Sequence, residues 1–188
     1  VVGVDGTPTT DEWISLKAES TCYRSFKGSE IALHTSKSSS GTWMTQVRPC
    51  IRFRNYTDVR LEVARPGSDE ILAAAEPRQE VWLPVSAAFG EYVFRTTASD
   101  WCDGILLTRT MASRGYVRQT DVIFHAGASV ISMPLTISGE CGSVHVTASP
   151  KLDICNLVPV PVNWTFSASA PPLTVRPGCR RSVPDSRC

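Results

Sequence analysis

Two stretches of this chain, 101 positions apart, carry the same pattern, and a repeat of that length restricts the fold more than any other feature. The first runs from Arg48 to Val63, with Ile51, Phe53, Val59, Leu61 and Val63 set among arginines and polar residues. The second runs from Pro150 to Trp164. Pro49 superposes on Pro150, Ile51 on Leu152, Phe53 on Ile154, Asn55 on Asn156, Val59 on Val160 and Leu61 on Val162. Apolar residues that alternate with period two on either side of an Asn-centred break predict a strand, a turn or bulge, and a second strand. The chain reads as at least one whole repeating unit with pieces of two others.

The remaining segments read as β almost throughout. Residues 31–35 predict a strand closed by the Ser38–Gly41 cluster, and 42–47 lead into the first motif. Asp11 to Ala18 reads as a short helix or a strand. Ser68 to Ala75 has a helix-like start and three alanines, yet its neighbours predict a strand or irregular edge. Residues 80–85 and 91–95, separated at Gly90, predict a hairpin, with Pro84 placing its first strand at an edge or bulge. Residues 105–110, 121–125, 129–137 and 143–147 supply four more strands split by glycines. Many short strands with Gly/Pro punctuation predict an all-β sandwich of mostly antiparallel strands. The expected division is 1–44 as a lead and the tail of a preceding unit, 45–145 as a full sandwich repeat, 146–170 as the start of a second repeat, and 171–188 as an irregular basic tail.

A chain of 188 residues with 42% apolar residues and a net charge of +1 builds a core without staples. That balance argues against nucleic acid, which demands an excess of cations. No apolar run approaches the ~20 residues of a membrane helix, and no basic-then-apolar leader opens the chain. The absence of an initial methionine reads as a mature product or an excised piece. Seven cysteines, irregularly spaced, fit buried reduced thiols in a cytosolic domain. The alternative is an oxidised secreted or viral sandwich, which the acceptor patterns Asn55-Tyr56-Thr57 and Asn163-Trp164-Thr165 would suit. Both asparagines fall in strand-rich segments where a glycan would collide with packing.

Catalytic and metal groups are not legible. His34, His125 and His145 stand in no HExxH or G-x-S-x-G arrangement, and each reads as a strand residue. Cys141 and His145 have ligand spacing without the second pair that a structural zinc requires. Asp100 and Asp103 flank Trp101 and Cys102 on a loop tip that leaves neither carboxyl desolvated. The expectation is therefore a non-enzyme with no cofactor, no metal and no small-molecule substrate. Asn55 and Asn156 are read as organisers of their repeats through backbone hydrogen bonds, with partner contact as the other option.

The motif Pro-x-Ile/Leu-x-Phe/Ile-x-Asn, a short gap, Val-x-Leu/Val, then Val81-Trp82-Leu83-Pro84-Val85, Gly90 and Val93-Phe94-Arg95, resembles the repeats of the adaptor-binding domain (also called the SHR-binding domain) of the chorein family, the vacuolar protein sorting thirteen proteins. The run Asn156-Leu157-Val158-Pro159-Val160-Pro161 is the closer of the two matches, and the likeness covers about residues 29 to 166. The resemblance implies all-β repeats, each with one characteristic asparagine, here Asn55 and Asn156. It also implies a module that recruits a bridge-like lipid transfer protein to organelle membranes by binding adaptors with a Pro-x-Pro motif. Cytoplasmic location at contact sites and indirect, peripheral membrane association would follow. Trp82, Tyr92 and Trp101 read either as the apolar floor of a peptide groove, which an already extended proline-rich peptide enters at modest entropic cost, or equally as core residues.

Overall fold

The computed structural model describes residues 19–26, 29–127, 129–165, 173–183 and 186–187. Asp11 to Ala18 lie outside them. The described elements are strands β1 (Ser20–Phe26), β2 (Ser29–Lys37), β3 (Trp43–Pro49), β4 (Ile51–Asn55), β5 (Leu61–Ala64), β6 (Ile71–Ala75), β7 (Glu80–Trp82), β8 (Gly90–Thr96) and β9 (Ile105–Leu107). A 3-10 turn at Arg109–Ala112 follows, then β10 (Val117–Ala126), β11 (Ser129–Glu140), β12 (Ser143–Ala148), β13 (Leu152–Cys155), β14 (Val162–Trp164), β15 (Leu173–Val175), β16 (Arg180–Val183) and β17 (Ser186–Arg187). The fold is all-β and sandwich-like, with mostly antiparallel sheets.

The central sandwich has one sheet in the order β10-β11-β12-β4-β7 and a second in the order β6-β5-β8-β9. Period two explains β4: Ile51, Phe53 and Asn55 face inward, while Arg52 and Arg54 face out and pair with Glu80 on β7. Phe53 meets Phe94 of the other sheet at 5.4 Å between ring centroids. Ile51, Leu61, Val63, Tyr92, Leu107, Phe124, Leu135, Ile137, Val144 and Val146 fill the rest of the core. β4 and β12 pair in parallel, Val144 opposite Ile51 and Ala148 opposite Asn55, so the first and last strands of the unit lie side by side.

The 101-residue repeat is present in three dimensions. β13 pairs with β16 as β4 pairs with β7, and β14 with β15 as β5 with β6. β1, β2 and β3 form a meander like that of β10, β11 and β12. Gly41 and Gly142, also 101 apart, close the last hairpin of each meander at φ +86° and +83°, backbone that a side chain would strain. The chain thus runs through the last three strands of one unit, a whole unit, and the first four strands of the next.

Several expectations need correction. The break after Asn55 is a crossover between sheets rather than a turn of one sheet. Period two therefore fails in β5, where Leu61 to Ala64 are all buried, and Val59 stays 44% exposed. Glu62 is buried there because Arg95 bonds it at 2.8 Å. Residues 80–85 and 91–95 form no hairpin: β7 joins β4 in one sheet and β8 joins β5 in the other. Pro84 lies just past β7, where the chain leaves the first sheet. Only 105–107 of the expected 105–110 strand is extended, the rest entering the 3-10 turn. The described residues of 171–188 include strands and are not an irregular tail. β15 and β16 complete the four-strand start of the third unit, and β17 pairs with Val130 and Ile131 of β11. Isolated Leu173–Val175 and Arg180–Val183 are too short for periodicity to register; only their partners make them strands.

Burial pushes the Cys50 thiol up to about 12, with Glu30 adding to the shift and Arg109 opposing it. Burial likewise raises Cys102. In the native protein a thiol-reactive dye should label exposed Cys155 and Cys179 quickly and Cys50 and Cys102 only after denaturation. Mass spectrometry of the labelled peptides checks this order. Phe53→Ala, which empties a contact at the centre of both sheets, should lower stability by about 3–5 kcal/mol in urea unfolding.

Candidate functional site

Asn55 ends β4 with its side chain wholly buried between the sheets. Its Nδ2 donates to the carbonyl oxygens of Val59 at 2.7 Å, Ala75 at 2.9 Å and Glu76 at 3.2 Å. Its Oδ1 accepts from the Thr57 amide at 3.0 Å and from the Thr57 hydroxyl at 2.7 Å. The Asn55 amide donates to Gln79 O at 2.9 Å, and the Tyr56 amide to Ala148 O at 2.8 Å. One carboxamide therefore satisfies the backbone where β4 crosses to the second sheet and where β6 returns. Each bond is worth about 1 kcal/mol net, but a buried group left without its partner costs ~1–3 kcal/mol.

Asn156 repeats the arrangement. Nδ2 donates to Val160 O and Val175 O, both at 2.8 Å, Oδ1 accepts from the Val158 amide at 3.0 Å, and the backbone amide donates to Cys179 O at 3.0 Å. Val158 stands where the first unit has Thr57, so the hydroxyl bond is missing from the second set. Asn55 carries no accessible amide for a glycan. Asn163, by contrast, is exposed on β14 and accepts from the Thr174 hydroxyl at 2.7 Å, so packing does not bar that position as expected.

The loop that Asn55 fixes forms one wall of a cavity of about 300 Å³. Thr57, Asp58 and Val59 face Thr96 to Ala98, with Phe124, Ile131 and Met133 from β10 and β11 behind them, and Ser149 to Lys151 closing the side toward β13. The lining is mainly apolar, with charge at the rim. Asp58 is paired with Arg78 at 3.1 Å, and Lys151 lies 3.6 Å from Asp121. Asn55 does not line the cavity; it holds the wall in place.

The three aromatics expected to floor a groove lie elsewhere. Tyr92 is fully buried in the core, its hydroxyl donating to Ala88 O and the Arg65 guanidinium over its ring at 4.1 Å, so it meets no ligand. Trp82 is 38% exposed on the outer face of the first sheet, in contact with Arg52 and His145. Trp101 is half-buried beneath Arg95 at 4.3 Å. None of the three lines the cavity. Val59, Phe124 and Met133 do, and in the sequence they look like any other strand hydrophobe.

The histidines are dispersed. His34 bonds Thr21 at 3.1 Å, and His145, buried on β12, lies 3.2 Å from Glu140. Burial holds the His145 imidazole below its usual 6.5, reinforced by Arg54, Arg52 and Arg48 and opposed by Glu140. Among the described residues no group of three or more His, Cys, Asp or Glu is placed to hold a metal ion. No protein-family model and no curated protein matches the chain.

Asn55→Ala should destabilise the protein by about 2–4 kcal/mol, from several unsatisfied backbone groups, and Asn156→Ala by less, since its network is smaller. Urea unfolding of both variants measures the difference. His145 gains protons more readily unfolded than folded. The stability this supplies is complete above pH 6.5 and falls as the pH drops from there through the lowered folded value. A His145→Gln variant should show a flatter stability profile over that window.

Proposed function

We propose that this chain is a non-catalytic protein-interaction module built of tandem β-sandwich units, of the adaptor-binding kind that recruits bridge-like lipid transfer proteins of the chorein family to organelle membranes. The observation that carries the reading is the pair of buried asparagines, 101 residues apart, making the same side-chain bonds at the same crossover in successive units. The partner is an adaptor bearing a Pro-x-Pro segment, and the receiving site is the apolar cavity walled by the Asn55 loop. Two features favour that occupant. The cavity offers apolar walls and few polar groups, which suits proline rings; and β17, antiparallel on Val130 and Ile131 at the cavity's edge, exemplifies the strand addition an extended peptide uses. On this reading the module works in the cytoplasm at contact sites and touches membranes only through its partners. Among the described residues no helix is long and apolar enough to cross a bilayer.

Immobilised peptides containing Pro-x-Pro should retain the folded chain, and Val59→Glu, at a half-exposed wall position, should abolish retention with little change in unfolding midpoint. Asn55→Ala should weaken it by loosening the wall. A folded, unmodified chain that ignores a varied panel of such peptides would sink the proposal.

A further inference from the structure

Among the described residues three buried side-chain nitrogens lack a hydrogen-bond partner: Nε of Arg52, Nε of Arg54 and Nε2 of His145. All three residues lie on the outer face of the first sheet, none lines the cavity, and the strand registers set them side by side. His145 of β12 stands opposite Arg52 of β4, which stands opposite Trp82 of β7; Thr147, Arg54 and Glu80 form the next row. One carboxylate is shared by both guanidiniums. Glu80 bonds Arg52 and comes within 3.2 Å of Arg54 Nε without the alignment of a hydrogen bond. Arg48 of β3 donates to the uncharged Gln46, and its charge reaches His145, whose Nδ1 lies 3.2 Å from Glu140.

The repeat supplies an internal control. The residue 101 positions before His145 is Met44, and those 101 positions after Arg52 and Arg54 are Asp153 and Cys155. Ser182 stands opposite Asp153 where Trp82 stands opposite Arg52. The fold therefore asks for neither the arginines, the imidazole nor the tryptophan at these places, and each buried group left without a partner costs about 1–3 kcal/mol. Trp82, 38% exposed, lies against Arg52, and Tyr56, 39% exposed, donates its hydroxyl to Glu80 at 3.4 Å. Tryptophan, tyrosine and arginine are the residues that anchor protein interfaces. A membrane surface instead attracts through many uncompensated cations, and here Glu80 and Glu140 offset two of the three arginine charges.

We propose that the outer face of β12, β4 and β7 is a second docking surface, taking an acidic polypeptide segment whose carboxylates seat on Arg52 and Arg54 beside Trp82. It is separate from the cavity and does not rest on the Pro-x-Pro reading. The planar guanidinium fork meets a carboxylate in two parallel hydrogen bonds, which a lysine does not. His145 responds to occupancy. The tautomer that donates Nδ1–H to Glu140 leaves Nε2 a bare acceptor. Burial, then Arg54, Arg52 and Arg48, hold the imidazole below its usual 6.5 against the pull of Glu140. A carboxylate added to this face offsets those cations and lets Nε2 take a proton, so peptide and proton favour each other and binding tightens as the pH falls.

Fluorescence anisotropy with labelled hexaglutamate tests this on the unmodified chain, with hexaglutamine as the neutral comparison. Hexaglutamate should bind and hexaglutamine should not, and affinity should rise severalfold from about pH 7.5 to about pH 6, where glutamates stay ionised. Arg52→Gln and Arg54→Gln should each weaken binding about tenfold or more, the worth of a charge-assisted hydrogen bond, and Arg52→Lys should weaken it too. Arg114→Gln, which removes the same charge from an exposed position elsewhere, should leave it unchanged. His145→Gln should flatten the pH dependence. The His145 imidazole resonance needs no substitution: hexaglutamate should move its titration midpoint to higher pH. Equal losses in Arg52→Gln and Arg114→Gln, a midpoint that stays put while the peptide binds, no binding at all, or retention on phosphatidylserine vesicles in place of hexaglutamate would overturn the proposal.

Discussion

The structure depends on one buried carboxamide per unit. Where β4 leaves the first sheet for the second, the chain gives up ladder hydrogen bonds in the interior, and unpaired peptide groups there are costly. A side chain with two donors and an acceptor of two lone pairs, reached from the last position of a strand, satisfies them at once. Aspartate lacks the donors, glutamine places the amide one methylene too far, and threonine has only a single proton. Asparagine in a strand, ordinarily unfavourable, is here the residue that makes the crossover affordable, and its recurrence at 156 places a second crossover of the same kind.

From that joint the rest of the unit follows. Fixing the 57–59 loop sets the wall of the apolar cavity, and tying Ala75 and Glu76 to Asn55 sets where β6 turns back toward β7. The surrounding charges pair with one another. Arg52 and Arg54 hold Glu80, Arg95 covers Glu62, and Arg109 covers Tyr23 while pairing with Glu30. His145, the most buried imidazole, is kept neutral by its surroundings and contacts a tryptophan edge rather than a nucleophile.

The parallel pairing of first and last strands has an architectural consequence. A unit closes only when its equivalent of β12 arrives, some ninety residues after its first strand. Contacts of this sequence separation form late in folding, because loop closure must be met before they contribute.

The sequence by itself determined the all-β class, the 101-residue period and the two asparagines that mark it. Alternation in β4 and the identity of an amide in a strand are local signals, and local signals survive in a string of letters. The sheet to which each strand belongs was not legible: Val81 and Val93 look like the arms of a hairpin, yet β7 and β8 lie on opposite sheets. Nor were the strands of 171–188, which are strands only because β13, β14 and β11 offer edges. Tyr92, Trp82 and Trp101 were indistinguishable as candidates for a surface, and only packing sent the first into the core. The cavity beside the Asn55 loop was equally invisible, since Val59 meets Phe124 and Met133 from a hairpin more than sixty residues further along the chain. Tertiary structure decided these points because sheet membership and burial depend on what lies across the core, and no residue carries that information alone.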